Sequence, residues 1–472
     1  MSPVTNVQPA APARHHEVLG RLAWPAGAVS ASVALGIAAG AHPALGLLAL
    51  ILIAGTCLVV ARPFYGVMSL AVFTPVTSAI KSGLLVPHLR PSQALIVWLA
   101  PLVIVCARRP VRGWSRLEWL GLAYALGTLL LGSFDVWRQS FPFNSSTVDT
   151  LLGPFQYLLL LRATRVGVRT ERELCLVVRA LLLTALPVCA LAMLQGFGVG
   201  SAQHFAHSIT GINEGHLDRA IGVFTNWQVL AGYLLSVGLI AVAVAAYGAR
   251  SILSARHATW LAVIIGLTLA RTLTIGALVG WLVASGALLA MSGHLHLTAR
   301  RVSAICGAAV AVVALVLAAR YHQEFTTQAG HAGNGIIPNT VAARIHNWTR
   351  QYLPALSGRW VTGYGPGIPS NVTWQFTDSV YVTIVLRGGL VLLGLYAALM
   401  AGFAAIARPV TRSSRAATAL AGTLLVLVIA LVPLQILATY FTTSGLPEVI
   451  WILAGLASLS AMSFPDGATQ RH

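Results

Sequence analysis

The feature that most constrains this chain is a recurring apolar run about as long as a bilayer is thick. Residues 220–247, 273–292 and 416–436 each carry no charged side chain. About 20 mostly apolar residues in a helix cross the hydrocarbon core. A helix can do so because it pairs its own backbone donors and acceptors where no water is present. On that basis spans fall near 22–40, 43–61, 64–80, 92–107, 117–134, 150–163, 174–196 and 220–247. Six more follow near 257–271, 273–292, 302–320, 379–407, 416–436 and 446–463. The runs at 150–163 and 257–271 are short, so 12 to 14 spans are expected. Composition agrees, with 57% hydrophobic and 9% charged residues. A soluble domain carries about 25% charged residues. The expected fold class is all-α, a polytopic transmembrane helical bundle.

The formal net charge of +18 does not point to nucleic acid, because the basic residues are scattered in the connections between apolar runs. There they orient a membrane protein. With the N-terminus inside, nineteen basic residues fall in cytoplasmic segments and ten outside, and Arg179 lies within a span. Both termini are therefore expected in the cytoplasm, as a retained N-terminal tail (1–21) and a C-terminal tail (464–472) around a membrane domain (22–463). Five cysteines lie in or beside apolar runs without CxxC spacing, which argues against a disulfide or zinc framework.

One outer connection differs from the rest. Residues 321–378 are polar, and loops beyond about 12–15 residues are usually functional or disordered. Trp348, Trp360 and Trp374, with the alternation in VAARIHNWTRQYLPAL, predict short amphipathic helices lying on the outer membrane interface. GYGPG at 363–367 has no following Lys-Ser/Thr, so it reads as a turn and not a phosphate loop.

The candidate chemistry lies where charge meets apolar sequence. Arg219 opens RAIGVFTNWQVLAGYL, and Arg271 is flanked on both sides by apolar residues. A cation at bilayer depth costs about 2.5–3.5 kcal/mol on insertion scales, so it is snorkelled, paired or functional. The functional alternative is an anion site, since a guanidinium fork fits phosphate oxygens. Arg344 joins such a site if the long loop folds over the bundle. Asp378, where that loop enters the next span, is either a helix N-cap or a general base. His322, His331 and His346 compete for the second role. Glu214 and Asp218 are too few to predict a metal site.

Taken in order, these pieces resemble the O-antigen ligase and polysaccharide polymerase superfamily of bacterial membrane glycosyltransferases. The resemblance covers roughly residues 215–463. It runs through Arg219 before Gly222, Phe224 and Asn226, and then Arg271 with Thr272. Next come Arg344, Trp348, Gly363, Gly365 and Gly367 in the long loop. Asp378, Ser379 and Tyr381 precede Gly388, Gly389, Leu390 and Gly394. The resemblance implies a fold of the GT-C class in the cytoplasmic (inner) membrane. It implies a metal-independent, inverting transfer of glycan from a polyprenyl-pyrophosphate-linked donor to an acceptor hydroxyl on the outer side, with no cofactor. Arg219, Arg271 and Asp378 would be catalytic, and Arg344, Trp348, Tyr381 and Asn226 would bind substrate. The implied partners are the donor, a glycan or lipid-linked acceptor, the bilayer and other polysaccharide-assembly membrane proteins, with no nucleic acid among them.

Ligases of this superfamily typically carry His-Asn where this chain has Asp378-Ser379, which tilts the expectation toward a polymerase, with ligase as the alternative. A lipid or polysaccharide transporter is the alternative from another class, but it should show related halves with paired broken helices, and the sequence shows none. The orientation has a direct test. Cysteines placed at Ser357 and Asn334 should label from outside, and one at Ser413 only after permeabilisation. Outside labelling at Ser413 would reverse the topology.

Overall fold

The computed structural model describes residues 43–80, 89–107, 113–139, 145–211, 219–293, 339–367, 377–408, 414–443 and 445–460. They form helices and connections, with no β-strand among them. The expected spans at 22–40 and 302–320 lie outside the described residues, as do Trp374, His322, His331, Glu214 and Asp218. The chain divides into two units, residues 1–62 and 63–472. In the first, α1 (Pro43–Ala61) is an apolar helix. The second holds α2 (Pro63–Thr77), α3 (Pro91–Cys106), α4 (Arg116–Gln139), α5 (Ser145–Gly167), α6 (Glu171–Gly196) and the short α7 (Gly200–Thr210). It continues with α8 (Trp227–Ala246), α9 (Ala255–Arg271), α10 (Ile275–Met291), α11 (Asn339–Asn347), α12 (Val380–Ala407), α13 (Arg415–Leu434) and α14 (Leu446–Ser460). Five of these, α4, α6, α8, α12 and α13, are long and apolar enough to cross a membrane.

Local sequence explains where the helices start. Pro43, Pro63 and Pro91 take first-turn positions whose N–H would be unpaired anyway. Ser254 and Ser414 cap α9 and α13. Thr170 and Glu173 bond reciprocally at the start of α6, as a capping box does. Glu118 does more than cap. It accepts from the Ser115 N–H at 2.6 Å and pairs with Arg162 at 3.1 Å and with Arg165, all three side chains being buried. That triad fastens the start of α4 to the last turns of α5.

The bundle is organised around α8, which is 89% buried over its membrane-length window and packs against α6, α9, α10, α13 and α14. Its glycines permit close approach. A Cβ at Gly238 would lie 2.6 Å from the Trp281 indole nitrogen, and one at Gly232 would lie 2.9 Å from the Tyr440 ring.

α12 is continuous in outline but broken inside. Gly388 and Gly389 leave helical geometry, Gly389 with φ 62°. The segment after α11 fills the break. The Leu390 N–H donates to Trp360 O at 2.8 Å and the Val391 N–H to Val361 O at 3.3 Å, while the Tyr364 N–H donates to Leu386 O at 2.5 Å. The GYGPG segment expected as a turn thus docks on α12 and also on α4, where Gly365 lies against the buried Asp135. A Cβ at Gly389 would sit 2.2 Å from Val361 O, whereas one at Gly394, on the same helix, meets nothing within 4 Å. Gly389→Ala should therefore cost at least about 2 kcal/mol, from the strained φ and the clash. Gly394→Ala should be neutral or stabilising by up to about 1 kcal/mol. Thermal unfolding in detergent compares the two, and equal midpoints would contradict the docking.

Candidate functional site

The residues singled out by sequence gather at one end of the bundle, in two groups. The first is built by the last turn of α6. Gln195, buried there, accepts from the Gly222 N–H at 2.7 Å and the Ile221 N–H at 3.2 Å, which fixes the segment that follows Arg219. Arg219 lies over the Trp227 ring, its Cζ 4.9 Å from the centroid. Its Nε is buried and finds no hydrogen-bond partner among the described residues. The next residues of the same turn meet Arg271. A Cβ at Gly196 would lie 2.7 Å from the Arg271 Nε, and the Phe197 ring centroid is 5.7 Å from its Cζ. Asn226 caps α8 by accepting from the Val229 N–H at 2.9 Å.

The second group hangs on the start of α12. α11 continues through a π turn (Trp348–Tyr352) into Leu353–Ala355. Tyr352 and Leu356 from this segment pack on Val385 and Leu386 of α12. Trp348 donates its indole N–H to Thr377 O at 2.7 Å, and Arg344 Nε contacts Asp378 Oδ2 at 3.2 Å. The loop therefore does bring Arg344, Trp348 and Asp378 together. Tyr352 lies close by, its phenol pushed up to about 12 by burial, with the Asp378 carboxylate adding to the rise. Burial also raises the Tyr440 phenol, and the Arg344 charge opposes that rise. Tyr381 is engaged elsewhere, donating its hydroxyl to Val432 O at 2.7 Å. His346 is exposed on α11. Among the described residues, three or more His, Cys, Asp or Glu side chains nowhere gather as metal ligands would.

The cap explanation of Asp378 gives way to a neighbour. Ser379 is the N-cap of α12: its Oγ takes the Val382 N–H at 3.5 Å and donates to Gln435 O at 3.3 Å. Asp378 precedes it with φ 50°, a left-handed conformation uncommon for a non-glycine residue. Local strain of that kind clusters at functional positions.

Further along α12 the structure opens a cavity of about 280 Å³ that sequence reasoning missed. Its polar wall carries Arg90, Gln93, Asp149, Gln156 and Arg387. Tyr157 and Trp451, stacked at 6.3 Å with 10° between their planes, form part of its apolar wall. Arg90 donates to Ser78 O at 3.3 Å, and Gln93 donates to Asp149 Oδ1 at 3.2 Å. Arg387 makes no hydrogen bond and no ion pair among the described residues. In sequence these residues are dispersed over four helices and their edges, and Arg387 reads only as one more charge on an outer flank. The available signal was α5, whose expected span began only after Asp149 and carried Gln156 within it.

No protein-family model matches this chain, and no curated protein matches it either.

The capping assignment separates stability from function. Ser379→Ala should lower stability by about 1 kcal/mol. Asp378→Asn, which suits the left-handed backbone, should shift it by less than about 1 kcal/mol, because the Arg344 pair is partly exposed. Thermal unfolding in detergent reads both, and the reverse order would make Asp378 the cap.

Proposed function

We propose that this chain is a membrane glycosyltransferase that extends or transfers glycan from a polyprenyl-pyrophosphate-linked donor on the outer side of the cytoplasmic membrane. Within that class we read it as a polysaccharide polymerase. The observation that carries the reading is the Arg344–Asp378 contact, which joins two motifs 34 residues apart in the order expected of such enzymes. The two arginines held by the last turn of α6 support it.

In the proposed reaction the acceptor hydroxyl oxygen attacks the anomeric carbon. The bond from that carbon to the pyrophosphate oxygen breaks, and its electron pair leaves with the polyprenyl pyrophosphate. Asp378 accepts the hydroxyl proton. The Asp378 oxygen that contacts Arg344 must turn to the acceptor hydroxyl for this step, so the pair loosens first. Arg344 touches Asp378 through Nε alone. A donor pyrophosphate competes for that guanidinium, and its arrival frees the carboxylate for the acceptor. Arg219 and Arg271 stabilise the charge that grows on the leaving group, where preorganised donors are worth most. The unsatisfied Arg219 Nε supports this role, since buried polar groups ordinarily have partners.

The test uses purified protein with a polyprenyl-pyrophosphate glycan. Lengthened lipid-linked products mean a polymerase, and transfer to a lipid A core means a ligase. Arg219→Ala and Arg271→Ala should each lower turnover by at least about 100-fold. Lys should restore only part, because it keeps the charge but loses the fork. Arg138→Ala, at an exposed position at the end of α4, should stay near the parent. Wild-type protein without any turnover would favour a transporter.

A further inference from the structure

We propose that the cavity bounded by Arg387, Asp149 and the Tyr157–Trp451 pair binds a carboxylate-bearing sugar of the acceptor glycan, with Arg387 as the residue that selects the acid. This rests on the glycosyltransferase reading above. Three observations lead to it.

The first is charge. Arg90, Arg387 and Asp149 line the cavity, and the carboxyl of Glu448, outside the lining, acts on Arg90. Arg90 and Asp149 have partners in the wall, at Ser78 O and Gln93. Glu448 lies buried, accepting from the Gly445 N–H at 2.6 Å. Arg387 is left without a hydrogen bond or ion pair among the described residues, inside a bundle where a lone cation is costly. A single carboxylate in the cavity would pair with it, and a guanidinium binds a carboxylate through two parallel hydrogen bonds.

The second is surface chemistry. Gln93 and Gln156 present amides, Thr128, Thr150 and Thr442 present hydroxyls, and Tyr157 and Trp451 present aromatic faces. Hydroxyl-rich rings with apolar C–H faces suit that mixture, whereas an acyl chain would leave the Arg387 guanidinium facing hydrocarbon. About 280 Å³ lies near the lower end of the roughly 300–1,000 Å³ usual for small-molecule sites, which suits one or two sugar rings.

The third is position. Ile384 and Arg387, which line the cavity, lie about one and two turns into α12, the helix that Asp378 precedes. Phe441 and Thr442, also lining it, follow Tyr440, whose phenol responds to the Arg344 charge. A sugar held there lies about one to two turns along α12 from the carboxylate proposed to activate an acceptor hydroxyl, so a chain of a few sugar rings could reach it.

The experiment is equilibrium binding of a glucuronic-acid disaccharide, with the matching glucose disaccharide as the neutral probe, to the full chain in nanodiscs. Tryptophan fluorescence and calorimetry report the binding. The acidic probe should bind more tightly. Arg387→Gln should weaken it by about 10- to 100-fold while changing the neutral probe less than about twofold. Gly153 lines the cavity and its Cβ would face open space, so Gly153→Leu should fill the space and weaken both probes in a folded protein. Arg138→Ala, at its exposed position at the end of α4, should leave disaccharide binding unchanged. Equal affinity for the two probes, no effect of Arg387→Gln, or binding that survives Gly153→Leu would overturn the proposal. So would displacement of the acidic probe by phosphatidylglycerol or inorganic phosphate at lower concentrations than by glucuronate. Selective acid binding without any glycosyl transfer would sink the enzyme reading and keep the site. Transfer activity without acid selectivity would do the opposite.

Discussion

A backbone amide or carbonyl inside a bilayer has no water to pair with, and α12 breaks its own ladder at Gly388–Gly389. The rest of the functional end depends on how that break is closed. Residues 360–364 supply the missing carbonyl and amide partners, and only glycine at 363 and 389 allows the two backbones to come so close. That closure pins the long loop to the helix. It therefore holds Trp348 near Thr377 and Arg344 against Asp378. The same break falls next to Arg387, so that the guanidinium lies at the wall of a cavity and not against a regular helix surface.

A second constraint acts at α6. Gln195 is an amide in an apolar run, and it is satisfied by the backbone of residues 221 and 222. At the next residue, Gly196, the missing side chain leaves the space that the Arg271 guanidinium occupies. One helical turn thus positions segments that are 24 and 76 residues away in the chain, and both carry an arginine. At the other end of the bundle Glu118 holds Arg162 and Arg165 in the same economical manner, one carboxylate serving two cations and one backbone amide.

Most helices were legible from hydropathy, since a segment that must bury all its backbone groups advertises itself by length and apolarity. The exceptions are instructive. The run at 150–163 looked short, yet α5 spans Ser145–Gly167, because its polar side chains face a cavity or an ion pair and not lipid. Hydropathy averages over a helix's circumference and cannot say which face is inward. Asp378 was legible as a boundary residue, but which of the two neighbours caps α12 was decided by the Ser379 hydroxyl taking the Val382 N–H.

By itself the sequence determined that the chain is helical and apolar enough for a membrane, and where most helices begin and end. Those properties follow from local hydrophobic length, prolines and caps, each confined to one stretch of chain. It also ordered the arginines and the acid along the chain, though without saying which would meet. Tertiary structure alone decided that Arg344 finds Asp378, that Gln195 organises the approach to Arg219, and that Arg387 and Asp149 share a cavity. Those outcomes arise from packing between helices far apart in sequence, where glycines set how closely backbones approach and unpaired polar groups dictate which surfaces must meet.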